Sequence, residues 1–158
     1  MALRLPAALV IVSLPMLLSV AAHADDASCK PLLEAFAKQS GTPFRETIAG
    51  HGMTTEKIVL LDAIYVKAPR GNWTRHPVTA QERGEQFNTA RAAAANCKIV
   101  GQETADGQTA TIVSGHLAGG DMSYWIGANG LPLKGESGTG AARVAWEFAY
   151  DRVAAPTP

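Results

Sequence analysis

Between Cys97 and Val153 turn-forming clusters recur at short, nearly even intervals, and this rhythm constrains the fold more than any other feature of the sequence. The breaks are Ala105-Asp106-Gly107, Ala118-Gly119-Gly120-Asp121, Ala128-Asn129-Gly130 and Gly138-Thr139-Gly140. Glycine and asparagine reach the positive φ that hairpin turns require, so each cluster ends one strand and starts the next. The segments between them, 98–104, 109–117, 122–127, 131–137 and 143–153, have strand length and predict an antiparallel meander of five strands. In the last of them Val144, Trp146, Phe148 and Tyr150 alternate with Arg143, Glu147 and Asp151, as in a strand buried on one face. Asn129-Gly130 reads as a type I′ turn with both residues at positive φ. Pro132 cannot donate to a strand ladder, so it marks a bulge or an edge position.

Helices come earlier. Cys29, Leu32, Leu33, Phe36 and Ala37 recur at helical spacing behind Pro31, predicting a helix over 28–39 that Gly41-Thr42-Pro43 stops. A short strand is expected over 44–48 and a longer one over 56–66, apolar on both faces but interrupted by Asp62. Residues 69–72 turn the chain, and 73–76 return as the second strand of a hairpin. Thr79 with Glu82 three residues on forms a capping-box pattern at the start of a helix over 80–95, with Asn96 as its stop. The order of elements predicts an α+β fold, a curved antiparallel sheet resembling an unclosed barrel, with two helices packed on one face.

The first 24 residues read as a cleaved secretory signal: Arg4, an apolar run, then Ala22-His23-Ala24 before two aspartates. A single domain is expected over 25–153, with a frayed tail at 154–158. Export places the protein in the periplasm, an oxidising compartment, where Cys29 and Cys97 are expected to form one disulfide. The 14 basic and 14 acidic residues balance, and the signal removes only Arg4. A near-neutral domain lacks the electrostatic footprint of a nucleic-acid binder, and no second apolar span follows the signal.

Tyr124-Trp125-Ile126-Gly127, a turn, Gly130-Leu131-Pro132-Leu133-Lys134, and a closing strand from Phe148-Ala149-Tyr150 through Val153 to Pro156 resemble the C-terminal half of outer-membrane lipoprotein carrier-like periplasmic proteins. The resemblance covers about residues 121–156, and more loosely the strand ending at Trp73. It implies an unclosed barrel with a helical cover and an apolar interior for acyl chains or other lipophilic ligands. The chain differs from that family in being shorter and in carrying the Cys29 and Cys97 pair.

Chemistry-bearing constellations are sparse. His51, His76 and His116 lie in separate segments without metal-ligand spacing, and His51-Gly52-Met53 is an isolated tripeptide. No Gly-x-Ser-x-Gly elbow is present, and the glycines of 135–140 do not match a phosphate loop. Asp62 faces Arg75 or His76 across a hairpin or points to solvent, and Glu136 with Glu147 reads as solvated surface. No cofactor or metal is indicated, and the chain reads as non-enzymatic. Trp73, Trp125, Leu131, Leu133, Trp146 and Phe148 are the candidate ligand contacts, through apolar surface rather than chemistry. On this reading the protein shelters a lipid or acyl chain in its concave sheet. The alternative is a small envelope protein-interaction or stress-related module with a solid core. A cavity under the helices discriminates the two.

Overall fold

A computed structural model describes residues 27–157; the expected signal at 1–24 lies outside the described residues. A single 3-10 turn, Ala27–Cys29, leads into α1, Lys30–Ser40, with Pro31 in its first turn. The strands β1, Phe44–Gly50, β2, Met53–Val59, β3, Ala63–Lys67, and β4, Trp73–Pro77, follow as a meander. Helix α2, Ala80–Ala93, then leads to a second meander: β5, Ala95–Ala105, β6, Gln108–Leu117, β7, Gly120–Gly127, β8, Pro132–Ser137, and β9, Val144–Ala149. The Thr79 hydroxyl accepts from the Glu82 amide while the Glu82 carboxylate accepts from the Thr79 amide, which completes the capping box at the start of α2.

Among the described residues the strands form one antiparallel sheet in the order β4-β3-β2-β1-β9-β8-β7-β6-β5. The two meanders join where β1 pairs with β9, with Ile48 opposite Trp146. Strands β4 and β5 are the free edges, and α2 connects them. Laid flat, nine strands would hold these edges about 38 Å apart. The 14 residues of α2 and the five Cα–Cα steps that join it to β4 and β5 reach about that far only at full extension. Helix α2 touches β6 and also faces β1, β2 and β3, so the sheet curls around the helices.

The helix-side face carries the main core. Cys29 and Leu32 pack with Cys97, Val113 and Leu117, and Phe36 and Tyr124 extend the cluster. Cys29 and Cys97 are bonded across a separation of 68 residues, which joins the turn at the start of α1 to edge strand β5. By the chain-entropy estimate that cross-link is worth about 4 kcal/mol. A smaller cluster of Ala105, Ala110, Trp125 and Leu133 lies on the outer face.

Several boundaries differ from the sequence reading. The run over 56–66 is two strands, not one: Leu60, Leu61 and Asp62 form a turn closed by the Leu60 amide donating to the Ala63 carbonyl at 2.8 Å. Asp62 is 79 % exposed at that turn, with Arg75 3.6 Å away. The last strand stops at Ala149 and not near Val153, because the chain turns at Arg152, whose φ is 49°. Asn129 is not at positive φ. Gly127 accepts from the Gly130 amide at 2.8 Å and Gly130 alone takes φ 73°, so the loop is a three-residue hairpin rather than a type I′ turn. Pro132 does sit beside a register shift, in which Trp125 pairs with Lys134 and Ile126 with Pro132. Helix α2 ends at Ala93, and Asn96 instead takes φ 55° within β5 where that strand slips register.

Candidate functional site

Side chains of paired residues in an antiparallel sheet share a face, and successive residues alternate. Phe44 pairs with Val59 and Glu46 with Lys57, and Val59 pairs in turn with Ile64. These five side chains therefore stand on one face of β1, β2 and β3. Phe36 and Gln39 of α1 approach from one side. Arg83, Gln86, Phe87 and Ala90 approach from α2, one face of that helix at spacings of three, four and seven. Together they line a half-open cavity of about 390 Å³. Helix α2 has no buried residue. It spans the cavity as a roof, held by its capping box and by a Gln81 to Glu85 hydrogen bond of 2.9 Å on its exposed side.

Aromatic rings continue from the cavity along the sheet. Phe36 meets Tyr124 edge to face at 4.9 Å, and Tyr124 stacks on Trp146 at 6.4 Å. Phe44 packs against Phe148 at 5.9 Å and Tyr150 at 6.2 Å. Tyr150 accepts from Gln39 Nε2 at 3.0 Å and donates to the Pro132 carbonyl at 2.6 Å, tying α1 to the start of β8.

The charged groups are few. Glu46, only 13 % exposed, is neutralised by Lys57 at 3.0 Å. Burial, with the Glu46 charge as a smaller cause, pushes the Tyr124 phenol up to about 12. Burial also raises the Tyr150 phenol, the Gln39 hydrogen bond opposing and Glu46 adding. Arg83 is half-buried, and its Nη1 is shielded from solvent with no hydrogen-bond partner among the described residues.

The six sequence-derived contacts do not converge. Trp146 and Phe148 lie on the helix-side face, Phe148 one ring contact from the cavity wall through Phe44 and Trp146 two, through Tyr124 and Phe36. Trp125 lies on the opposite face, paired with Ile112 and Lys134. Its indole N–H donates to Glu103 at 3.0 Å, and Lys134 Nζ sits 4.0 Å from its ring centroid. Leu133 packs beside it, and Leu131 is buried at the end of the β7–β8 loop. Trp73 is also on the outer face, paired with Lys67, beside a hollow of about 420 Å³ that the tail residues 154–157 help to line. That hollow is walled by Arg45, Thr47 and Glu56 as much as by apolar groups. Phe36, Phe44, Phe87 and Arg83 were not among the sequence-derived contacts.

No catalytic centre is assembled elsewhere among the described residues. His116 Nδ1 lies 2.9 Å from Asp121 Oδ1, and Ser114 Oγ lies 2.6 Å from Ser123 Oγ on the same strands. The histidine–aspartate pair stands in open solvent, where electrostatic stabilisation of a transition state is weak. Glu136 pairs with Arg143 and not with Glu147, which lies opposite Lys134. No group of three or more His, Cys, Asp and Glu residues converges as a metal site, and no helix is long and apolar enough to cross a membrane, among the described residues.

No family model and no curated protein matches the chain. Solved structures do match in fold. LprF from Mycobacterium bovis superposes with a TM-score of 0.51 at 12 % identity, covering 83 % of this chain and 96 % of its own. MucB, in its complex with MucA(peri), gives a TM-score of 0.52 at 14 % identity over 82 % of this chain, which spans 59 % of the MucB chain. The Mycobacterium tuberculosis lipoprotein LppX gives 0.49 at 14 % identity over 83 % of this chain and 99 % of its own. At these identities the likeness is one of fold alone.

Proposed function

We propose that this is an exported, non-enzymatic binding protein that shelters an apolar ligand, a lipid or acyl chain, between its helices and the curled sheet. The observation that carries this reading is the cavity of about 390 Å³ walled by Phe36, Phe44, Val59, Ile64 and Phe87 under a helix with no buried residue. Its volume falls in the range of small-molecule sites. It is more than twice the roughly 150 Å³ of an engineered apolar cavity that holds benzene. A helix whose inward residues are at most half-buried forgoes packing energy, and a guest would supply the missing contacts. Trp146 and Phe148 stand behind the wall. Trp73, Trp125, Leu131 and Leu133 have no part in this site. Periplasmic location follows from the signal reading and accords with the single disulfide.

The test is titration with the neutral fluorescent probe N-phenyl-1-naphthylamine. Saturable binding by the wild type that Ala90→Trp abolishes, with the melting temperature kept, supports the site. Binding that Ala90→Trp leaves intact, or no binding at all, contradicts it.

A second reading, a protein-interaction module, draws on edge strand β5. There Ile99 is 63 % and Val100 50 % exposed beside unpaired backbone groups. An edge of this kind can accept an added strand from a partner. MucB, which shares the fold, is seen in complex with MucA(peri). If this reading holds, Ile99→Lys with Val100→Lys abolishes capture of an envelope protein while leaving probe binding unchanged. Equal capture by wild type and variant contradicts it.

A further inference from the structure

We propose that the guest of this cavity carries an anionic oxygen head group, a carboxylate or a phosphate, received by Arg83. The inference rests on the binding reading above and adds the chemical class of the ligand.

Arg83 reaches the cavity from the second turn of α2, on the same helix face as Phe87 and Ala90. A guanidinium carries five N–H donors in a fixed planar fork. Among the described residues this one has no ion pair and no side-chain hydrogen bond, and its Nη1 is cut off from solvent. A shielded, charged donor without an acceptor is costly, and proteins seldom leave one that way. The nearby charges do not supply the acceptor. Glu46 is the carboxylate that lines the cavity, and it is engaged by Lys57 at 3.0 Å. That pair is neutral as a unit, so Arg83 remains as the surplus positive charge of the lining. Gln39 and Gln86 add amide groups at the same wall.

The two halves of the lining thus ask for the two halves of an amphiphile. Phe36, Phe44, Val59, Ile64 and Phe87 would take a hydrocarbon segment. The Arg83 fork would take two oxygens of one head group, the bidentate geometry that favours arginine at carboxylate and phosphate sites. A fatty acid and a phospholipid both present this chemistry.

The experiment is displacement of N-phenyl-1-naphthylamine by three single-chain probes below their micelle concentrations: dodecanoate, dodecyl phosphate and 1-dodecanol. The wild type is expected to bind at least one of the two anions about tenfold or more tighter than the alcohol, the scale of one charge-assisted hydrogen-bonded contact. The tighter anion identifies the source, a fatty acid or a phosphorylated lipid. Arg83→Gln should bring anion and alcohol to within about twofold. Arg83→Lys, which keeps the charge and loses the fork, should retain part of the preference. Equal affinity of wild type for anions and alcohol overturns the inference while leaving the binding reading in place. An undiminished preference in Arg83→Gln moves the head-group contact elsewhere and also overturns it. Binding of none of the probes removes the binding reading itself.

Discussion

Gly135 lies directly beneath the ring of Tyr124: a Cβ at position 135 would stand 2.6 Å from Tyr124 Cε1. The two residues pair across β7 and β8, and Gly135 pairs in turn with Trp146. The glycine is what allows Tyr124 and Trp146 to stack across the strand between them. Gly135→Ala should therefore displace the Tyr124 ring and destabilise the protein by about 1–3 kcal/mol, as overpacking does. Urea unfolding measures the loss, and near-ultraviolet circular dichroism reports the disturbed stack. An alanine variant as stable as the wild type would contradict this packing.

The cross-link between the start of α1 and β5 has a counterpart in Gly115, where an added Cβ would fall 2.6 Å from Cys97 Sγ. Replacing both Cys29 and Cys97 by alanine should cost about 4 kcal/mol, less any strain relieved. A midpoint of denaturation within error of the wild type would show that the bond restrains nothing.

Alkaline pH should weaken the fold. In the native state burial raises both Tyr124, to about 12, and Tyr150, whereas in the unfolded chain both ionise near the usual 10. Between those values the unfolded state has lost protons that the native state still holds, so stability falls as pH rises. It is fully present below about pH 10 and declines from there toward pH 12. Absorbance at 295 nm should show these phenols ionising late, and Tyr124→Phe should remove one late step and flatten the decline. Ordinary titration of every tyrosine would contradict the burial.

Trp125 should matter for stability and not for binding. Trp125→Phe removes the hydrogen bond to Glu103 and weakens the contact with Lys134. The Trp125 and Lys134 hydrogen bonds hold the Glu103 carboxyl below its usual range, so its pKa should rise in the variant. A cost of about 1–2 kcal/mol is expected, with unchanged affinity for an apolar probe. Lost affinity at full stability would place the site on the outer face.

Local chemistry made part of this architecture legible in the sequence. Thr79 and Glu82 announce α2 because a capping box is complete within four residues, and the alternation through Val144, Trp146 and Phe148 assigns β9 to one buried face. The turn at Leu60-Leu61-Asp62 was hidden because leucine carries no turn signal and the bend is fixed by β2–β3 pairing. Tyr124 and Trp125 are adjacent aromatics on opposite faces, and no pattern within β7 says which of them meets the helices. Nothing in the sequence pattern of Arg83, Gln86 and Ala90 marks an inward helix face. They point inward because α2 must cross from one sheet edge to the other, a constraint that exists only once the strand order is known.

The central claim is that a guest lies between the helices and the sheet face bearing Trp146. The most direct measurement uses three single-tryptophan variants, retaining Trp73, Trp125 or Trp146, titrated with a neutral bromine-substituted long-chain alcohol that quenches indole fluorescence at short range without needing direct contact. The account predicts saturable quenching of Trp146 at about one equivalent in a site of this size, with Trp73 and Trp125 little affected. Absence of saturable quenching at Trp146, or stronger quenching at Trp125, would contradict it.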